Sequence, residues 1–370
     1  MSAPAVDGCT VVIVNYNGGE FLADCLLSVC RQNVTGARPD IVVVDNASTD
    51  GSAEMVDQFP GVTLIRSATN LGFGGAVNLG MAHTTGDLVV LLNPDARADP
   101  DFLERITAPF RQHDGGDGAG HSGDGARLAA VTARILLDGR FVPAPDDPDA
   151  YVSADGQRWA RLPATASADA GVSLLNSTGS QLSRSGNGRD RSWLSPADTV
   201  EPAEVFGFCG GACALRRSAV TAVGGFDERL FLYYEDTDLS WRLRRHGWAV
   251  RYAADAVVHH RHSASSGIHS AVFLRHNIRN RVLVVARNGP AIMLGSAVLH
   301  TGGHLLRMVR SRFSRGGRAR TDTEWSASWW AIGRLAVMLP GYLAQGRRLD
   351  RAATLPRDFV TGWTLQDGAR

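Results

Sequence analysis

The chain reads as an α/β protein: a mostly parallel sheet flanked by helices, followed by a basic helical segment at the C-terminal end. Three observations predict this. Short β-branched runs alternate with helix-periodic stretches through the N-terminal part of the chain. Polar residues follow the end of each of those runs. The apolar run Leu88–Leu92 suits a central strand covered on both faces, and Asn93-Pro94-Asp95 then breaks it, because proline has no N–H for the ladder.

The elements follow in order. Thr10–Val14 predicts a strand, and Asn15-Tyr16-Asn17-Gly18-Gly19 a loop. Glu20–Cys30 carries Phe21, Leu22, Cys25, Leu26 and Val29 at helical spacing. Ile41–Val44 predicts a second strand, ending in Asp45-Asn46-Ala47-Ser48-Thr49-Asp50-Gly51, and Ser52–Phe59 a second helix. Val62–Arg66 predicts a third strand. Asn70-Leu71-Gly72-Phe73-Gly74-Gly75 then leads into a helix through His83, ahead of the Leu88 strand.

In a parallel sheet the strand ends share one edge, where α/β sheets bind ligands. That edge would gather Asn15, Asn17, Asp45, Asn70, Gly72, Asn93 and Asp95. A carboxylate at Asp95 can hold a divalent metal, and the metal a diphosphate. Asp45 can accept the ring N–H of a pyrimidine base. The Gly72–Gly75 loop can let backbone approach a phosphate at a helix N-terminus. Each feature alone is also an ordinary turn; their coincidence favours a nucleotide site. Gly72–Asn78 does not follow G-x-G-x-x-G, which disfavours NAD.

Composition excludes other chemistries. All 38 basic residues are arginine, so a P-loop lysine and a Schiff-base lysine are excluded. The 5 cysteines show no repeated spacing, against a disulfide framework or zinc cluster. No basic and apolar leader opens the chain, so secretion is not expected. The net charge of +1 conceals an asymmetry, since 16 arginines and 5 acidic residues lie between Arg275 and Arg370. Apolar stretches beside those arginines favour an anionic membrane surface over nucleic acid. The segment Arg111–Arg127, rich in Gly, Asp and His, predicts a loop without fixed metal geometry.

In the second half Leu128–Leu137 predicts a strand, Val172–Leu175 a shorter one, and Phe208-Cys209-Gly210-Gly211-Ala212 a glycine turn entering another strand. Cys209 and Cys213 read as buried small side chains. Phe231-Leu232-Tyr233-Tyr234 precedes Glu235, Asp236 and Asp238 at the start of a helix. Acidic residues suit a first helical turn, but aromatic cover would also raise a carboxylate pKa, as a general base requires. Ala253–Val258 predicts a strand ending in His259-His260-Arg261-His262, where a histidine can serve as a metal ligand. Alternation puts His260 on the opposite face from His259 and His262. Ser263 and Ser265 add candidate phosphate contacts, and Arg275, Arg279, Asn280 and Arg281 form a polar helix face.

The stretches Val12–Asn17, Val43–Gly51, Asn70–Gly74 and Leu91–Asp95 resemble the inverting family 2 glycosyltransferases, most of all the rhamnosyltransferase-like branch. The resemblance spans residues 9–290. It implies a GT-A fold, a nucleotide-diphosphate sugar donor and Mg2+ or Mn2+. Many members carry Asp-x-Asp where this chain has Asn93-Pro94-Asp95, so Asp95 becomes the one firm metal candidate of that stretch. The resemblance further implies Asp236 as the base, Glu235 as a group orienting the acceptor, and Gly210-Gly211-Ala212 as the acceptor-side turn; Asp238, also placed on the acceptor side, is the fallback base and otherwise a helix-capping or structural group. It puts His259 near the metal or diphosphate, with His260 and His262 open by spacing, and gives Arg279 and Arg281 a diphosphate role. The implied donor is dTDP-rhamnose, with galactofuranose or hexose transfer as the near rival, and a lipid-linked or polymeric cell-envelope glycan as acceptor.

The expected organisation is a catalytic domain over 1–289, with a donor half near 1–110 and an acceptor half near 128–289. A helical segment, 290–370, would lie on the inner face of the cell membrane. Neither Pro290–Leu306 nor Trp329–Ala344 is an uninterrupted spanning stretch, and a dimer contact is the alternative use of their apolar faces. Two other classes compete. A nucleotidyltransferase would need a basic Gly-rich loop after the first strand, which Asn15–Gly19 lacks. A non-catalytic sugar-nucleotide or membrane adaptor would not need both Asp95 and the Glu235-Asp236 pair.

Overall fold

The computed structural model describes residues 8–114, 126–153, 155–167, 169–261, 270–313 and 318–365. His262, Ser263, Ser265 and most of the Gly-rich segment after Arg111 lie outside the described residues. The first half is β1 (Cys9–Asn15), α1 (Gly19–Cys30), β2 (Asp40–Asp45), β3 (Val62–Arg66), α2 (Gly72–Ala82), β4 (Leu88–Leu92), β5 (Ala96–Ala98) and α3 (Phe102–Asp114). Next come β6 (Leu128–Leu137) and a small sheet of β7 (Phe141–Pro143), β8 (Tyr151–Val152) and β9 (Arg158–Arg161). Then follow β10 (Leu175–Ser177), β11 (Ser180–Ser183), β12 (Gly188–Asp190), β13 (Ala212–Arg216), α4 (Arg217–Ala222), α5 (Glu235–Arg245) and β14 (Ala249–His260). Helices α6 (Ala271–Asn288), α7 (Ala291–Phe313) and α8 (Arg318–Ala352) precede β15 (Thr364–Leu365).

The main sheet runs in the order β3-β2-β1-β4-β13-β6-β14-β5, with β10 beside β6. Strands β13, β5 and β10 run against their neighbours, and the other pairs are parallel. Both faces are covered. Val11, Ile13, Val90 and Leu92 pack with α1 and α3, while Val12, Val14, Val89 and Leu91 pack with α2, α4 and α5. Burial on both sides is why these strands are unbroken apolar runs rather than alternating ones. The sheet can take α2 so closely because Gly80 has no side chain: a Cβ there would lie 2.8 Å from Val12 Cγ1.

One predicted helix is reduced. Ser52–Phe59 forms only a 3₁₀ turn over Glu54–Gln58. Pro60 follows at once and keeps Phe59 out of the helical region, at φ −113° and ψ 89°.

Helices α6, α7 and α8 close over the second half. Val282, Leu283, Val285, Met293, Ala297 and Tyr342 share an apolar cluster with Leu230, Tyr234 and Trp241. Beneath it runs a buried ionic network. Arg242 Nε donates to Asp238 Oδ2 at 2.8 Å, and Arg287 Nε and Asn288 Nδ2 donate to Asp238 Oδ1, each at 2.9 Å. Arg287 Nη1 and the Tyr342 hydroxyl donate to Asp227 Oδ2 at 2.7 and 2.8 Å. The two arginines hold the Asp238 carboxyl below its ordinary range despite full burial. Asp238 therefore ties α5 to α6 instead of facing an acceptor. Removing it leaves two buried guanidinium groups short of their counter-ion. Asp238→Ala should lower the unfolding free energy by about 3–5 kcal/mol, read by urea denaturation; stability equal to that of the unsubstituted chain would contradict this reading of the network.

Candidate active site

The sheet register brings the chemistry to one edge. Asn15 pairs with Asp45 across β1 and β2, and Leu92 at the end of β4 lies beside Ala212 at the start of the antiparallel β13. The β14 terminus His260 pairs with Ala96, next to Asp95.

On the donor side, Asn15 is a buried scaffold. Its amide donates to Asp45 Oδ1 at 3.1 Å, Ser48 Oγ at 3.1 Å and Ser52 Oγ at 2.8 Å, fixing the Asp45 carboxylate at the strand end. Asn17 takes a left-handed φ of 53°, and its Oδ1 accepts the Thr49 N–H at 2.8 Å. Asn46, absent from the candidates, is the hub of the next loop. It donates to Asn70 Oδ1 at 3.0 Å and to the Gly72 carbonyl at 3.2 Å, and accepts from Leu71 N–H at 2.8 Å. Gly72, at φ +73°, has no room for a side chain because the Phe231 backbone abuts it, and Phe73 N–H donates to the Phe231 carbonyl at 2.8 Å. That glycine joins the donor loop to the segment leading into α5.

The metal candidates separate. His259 Nε2 approaches Asp99 Oδ1 at 3.2 Å, whereas His260 Nε2 approaches Asp95 Oδ1 at 3.0 Å. Asp95 and His259 both border a small cleft with Asp24, Asp138 and Arg261, but the direct carboxylate–imidazole contact belongs to His260. The His260 Nδ1 lies 2.7 Å from Asn176 Oδ1. Asn176 Oδ1 accepts, so Nδ1 carries a proton and Nε2 faces the Asp95 carboxylate. Such a pair calls for a proton or a cation between lone pair and carboxylate. The donor set fits a hard divalent ion held by one carboxylate, one imidazole and ligand oxygens. Among the described residues no group of three or more His, Cys, Asp or Glu forms a metal cage.

The carboxylate pair sits where β13 begins. Gly210 N–H donates to Asp236 Oδ2 at 3.1 Å, and Asn93 N–H donates to the Gly211 carbonyl at 2.9 Å. The glycine turn thus ties the β4 end to Asp236. Burial raises the Asp236 pKa, opposed by the hydrogen bonds from Gly210 and Thr237. Burial, then the Asp236 charge, drives Glu235 well above its ordinary range, and its Oε2 has no hydrogen-bond partner among the described residues. Asp190 on β12 joins this group. Burial and Asp236 raise its carboxyl to about 6, while Ser177 and the His260 charge pull the other way. Sequence reasoning missed Asn46, Asn176 and Asp190; the polarity of the Ser183–Trp193 segment was the one available signal for Asp190. The two arginines are occupied elsewhere. Arg279 donates to the Arg229 and Leu230 carbonyls at 3.1 and 2.7 Å, and Arg281 to Thr301 Oγ1 at 2.8 Å.

The mostly parallel α/β sheet with flanking helices is of the GT-A type, and the family follows from the comparisons. Glycosyl transferase family 2 matches residues 10–122, and glycosyl transferase family group 2 matches residues 190–281. The chain is 31% identical over 279 residues to the N-acetylglucosaminyl-diphospho-decaprenol L-rhamnosyltransferase of Mycobacterium tuberculosis, covering 70% of this chain and 78% of that protein. It is 31% identical over 110 residues to the undecaprenyl-phosphate 4-deoxy-4-formamido-L-arabinose transferase of an Enterobacter species, covering 28% of this chain and 34% of that protein. The structure of GalNAc-T7 with UDP, GalNAc and Mn2+ shares the fold at a TM-score of 0.54 and 15% identity, covering 90% of this chain and 57% of that chain. The chain belongs to glycosyltransferase family 2 and is a glycosyltransferase, similar to the rhamnosyltransferases.

The raised Asp190 carboxyl has a signed consequence. Between its unfolded pKa near 3.8 and about 6, the folded chain keeps a proton that the unfolded chain has lost, so this group's contribution to stability falls as pH rises through that window. In chelator, Asp190→Asn should be more stable than the unsubstituted chain at pH 7.5 by about 3 kcal/mol, with the gain gone below pH 4. A gain that is constant with pH would remove Asp190 as its source.

Proposed function

We propose that this enzyme transfers L-rhamnose from dTDP-rhamnose, with inversion, to a hydroxyl of a polyprenyl-diphosphate-linked sugar. The observation that carries the reading is the Gly210–Asp236 contact, which holds a desolvated carboxylate on the edge that also bears Asp45 and Asp95. Similarity to a rhamnosyltransferase acting on a decaprenol-linked N-acetylglucosamine supports the donor and acceptor classes.

Asp45, held by Asn15, takes the ring N–H of the thymine. Asp236 accepts the acceptor hydroxyl proton as that oxygen attacks the anomeric carbon, and the bond to the diphosphate breaks on the opposite face, its electron pair leaving with dTDP. A base with a raised pKa is matched to this proton transfer near neutral pH. Asp95 and His260 would hold Mg2+ or Mn2+, which would supply positive charge to neutralise the departing diphosphate. Glu235, kept neutral by burial and by Asp236, orients the acceptor as a hydrogen-bond donor.

Residues 1–289 carry the chemistry in this reading, and 290–370 seat the enzyme on the cytoplasmic face of the membrane. Ile292, Leu299 and Leu306 recur at seven-residue intervals along α7 and are 82%, 76% and 62% exposed. That spacing draws an outward apolar line, and exposed Arg307 and Arg310 follow it. No helix among the described residues is long and apolar enough to cross a membrane. An apolar line beside arginines suits the surface of an anionic bilayer.

Two measurements test these statements. With dTDP-rhamnose and a polyprenyl-diphospho-N-acetylglucosamine, Asp236→Asn should lower kcat by roughly 10²–10⁴-fold with donor KM little changed. Turnover only with a different nucleotide sugar would replace the donor, and full activity of Asp236→Asn would remove the base. The unsubstituted chain should co-sediment with phosphatidylglycerol-containing vesicles and not with pure phosphatidylcholine, and Leu299→Glu with Leu306→Glu should release it. Equal partition to both vesicle types, or none, would contradict the membrane assignment.

A further inference from the structure

The segment that delivers Glu235 and Asp236 is conformationally unfavourable. Phe231, Tyr233 and Tyr234 all hold positive φ, at 67°, 67° and 73°, with Phe231 at ψ −64° in a γ-turn that Leu232 N–H closes onto the Leu230 carbonyl at 2.9 Å. Side chains on non-glycine residues resist that region, and such clusters persist only where the surroundings over-determine them. Here the surroundings are concentrated in one side chain from a distant helix. Asn280 on α6 is fully buried, and its Nδ2 lies 2.9 Å from the Leu230 carbonyl, 3.0 Å from that of Leu232 and 2.7 Å from that of Tyr233. Its amide orientation is set by Arg279, whose Nε donates to Asn280 Oδ1 at 2.8 Å. Arg279 Nη2 also donates to the Leu230 carbonyl at 2.7 Å. Of the other two carbonyls of the turn, that of Phe231 accepts from Phe73 N–H at 2.8 Å, beside the donor loop, and that of Tyr234 from Asp238 N–H at 2.8 Å.

We propose that Asn280 is a positioning residue for the catalytic carboxylates: it clamps the positive-φ turn 230–234, and so aims Glu235 and Asp236 across the donor loop. Resting on the reading of Asp236 as the base, the proposal gives the Arg279-Asn280 pair a mechanical part in catalysis, in place of a contact to diphosphate. Alanine at 280 strips three carbonyls of one shared donor while the packed faces of α6 stay intact. The turn then relaxes out of positive φ and carries Asp236 off line. Misplacing the base lowers turnover, while Asp45 stays fixed by Asn15 at the β1–β2 edge.

The test compares the full-length chain with Asn280→Ala by two readouts. The first is hydrogen–deuterium exchange, which needs no substrate. Peptides covering 230–237 should exchange at least tenfold faster in Asn280→Ala, while those covering β1, β2 and β4 stay unchanged. The second is transfer from dTDP-rhamnose, where kcat should fall at least tenfold with donor KM within twofold. Absence of turnover in the unsubstituted chain would count against the assigned donor, and the exchange result would then decide the clamp alone. Unchanged exchange in 230–237, or unchanged kcat in an active enzyme, would overturn the proposal. Should Asn280→Ala fail to fold, Arg279→Met removes the N–H that orients the amide, and the same local loss of protection is expected; uniform loss across the chain would overturn the local clamp.

Discussion

The antiparallel seating of β13 against β4 is the constraint on which the rest depends. The other candidate residues on the donor edge follow the parallel strands β1, β2, β3 and β4. A parallel neighbour would present its own C-terminal end there. Because β13 is reversed, its N-terminal glycine turn arrives at that edge instead, with Ala212 beside Leu92. Bare backbone then does two jobs: Gly211 accepts from Asn93, and Gly210 donates to Asp236. Asp236, from a distant helix, is thereby anchored to the strand that leads into Asp95.

Helix α5 shows how environment sorts like residues. Three carboxylates open it, and a helix N-terminus favours negative charge at all three. Asp238 turns inward onto Arg242 and Arg287 and stays ionised below its ordinary range. Glu235 and Asp236 have no such partners, and burial without a countercharge raises both. The two halves of the cluster have opposite electrostatic fates because Asp238 meets two guanidinium groups, whereas Glu235 and Asp236 meet none. The ionised half secures the helix against α6, and the raised half is left suited to proton transfer.

Much of the sheet was legible because its signals are local. Leu88–Leu92 announces a doubly covered strand, and Pro94 marks where its ladder stops. The gathering of Asn15, Asp45, Asn93 and Asp95 follows from parallel topology alone. What stayed hidden depends on pairings between distant segments. Alternation separated His259 from His260 but carried no information on which face meets Asp95; that is decided where β14 lies between β6 and β5. Asp190 sits in a polar stretch without period, and it reaches the site through the β11–β12 hairpin. Arg279 looked like an anion ligand because an exposed and a buried arginine are identical in sequence. Its contacts to backbone carbonyls appear only once the turn before α5 is folded against it.

One site holding a cation, a nucleotide and a base is the central claim, and crystallography at the manganese absorption edge addresses it most directly. With Mn2+ and dTDP present, the anomalous peak is predicted within coordination distance of both Asp95 and His260 Nε2, with the thymine ring N–H on Asp45 and Asp236 across the cleft. A manganese ion held instead by His259 and Asp99, or a nucleotide bound away from Asp45, would contradict the account.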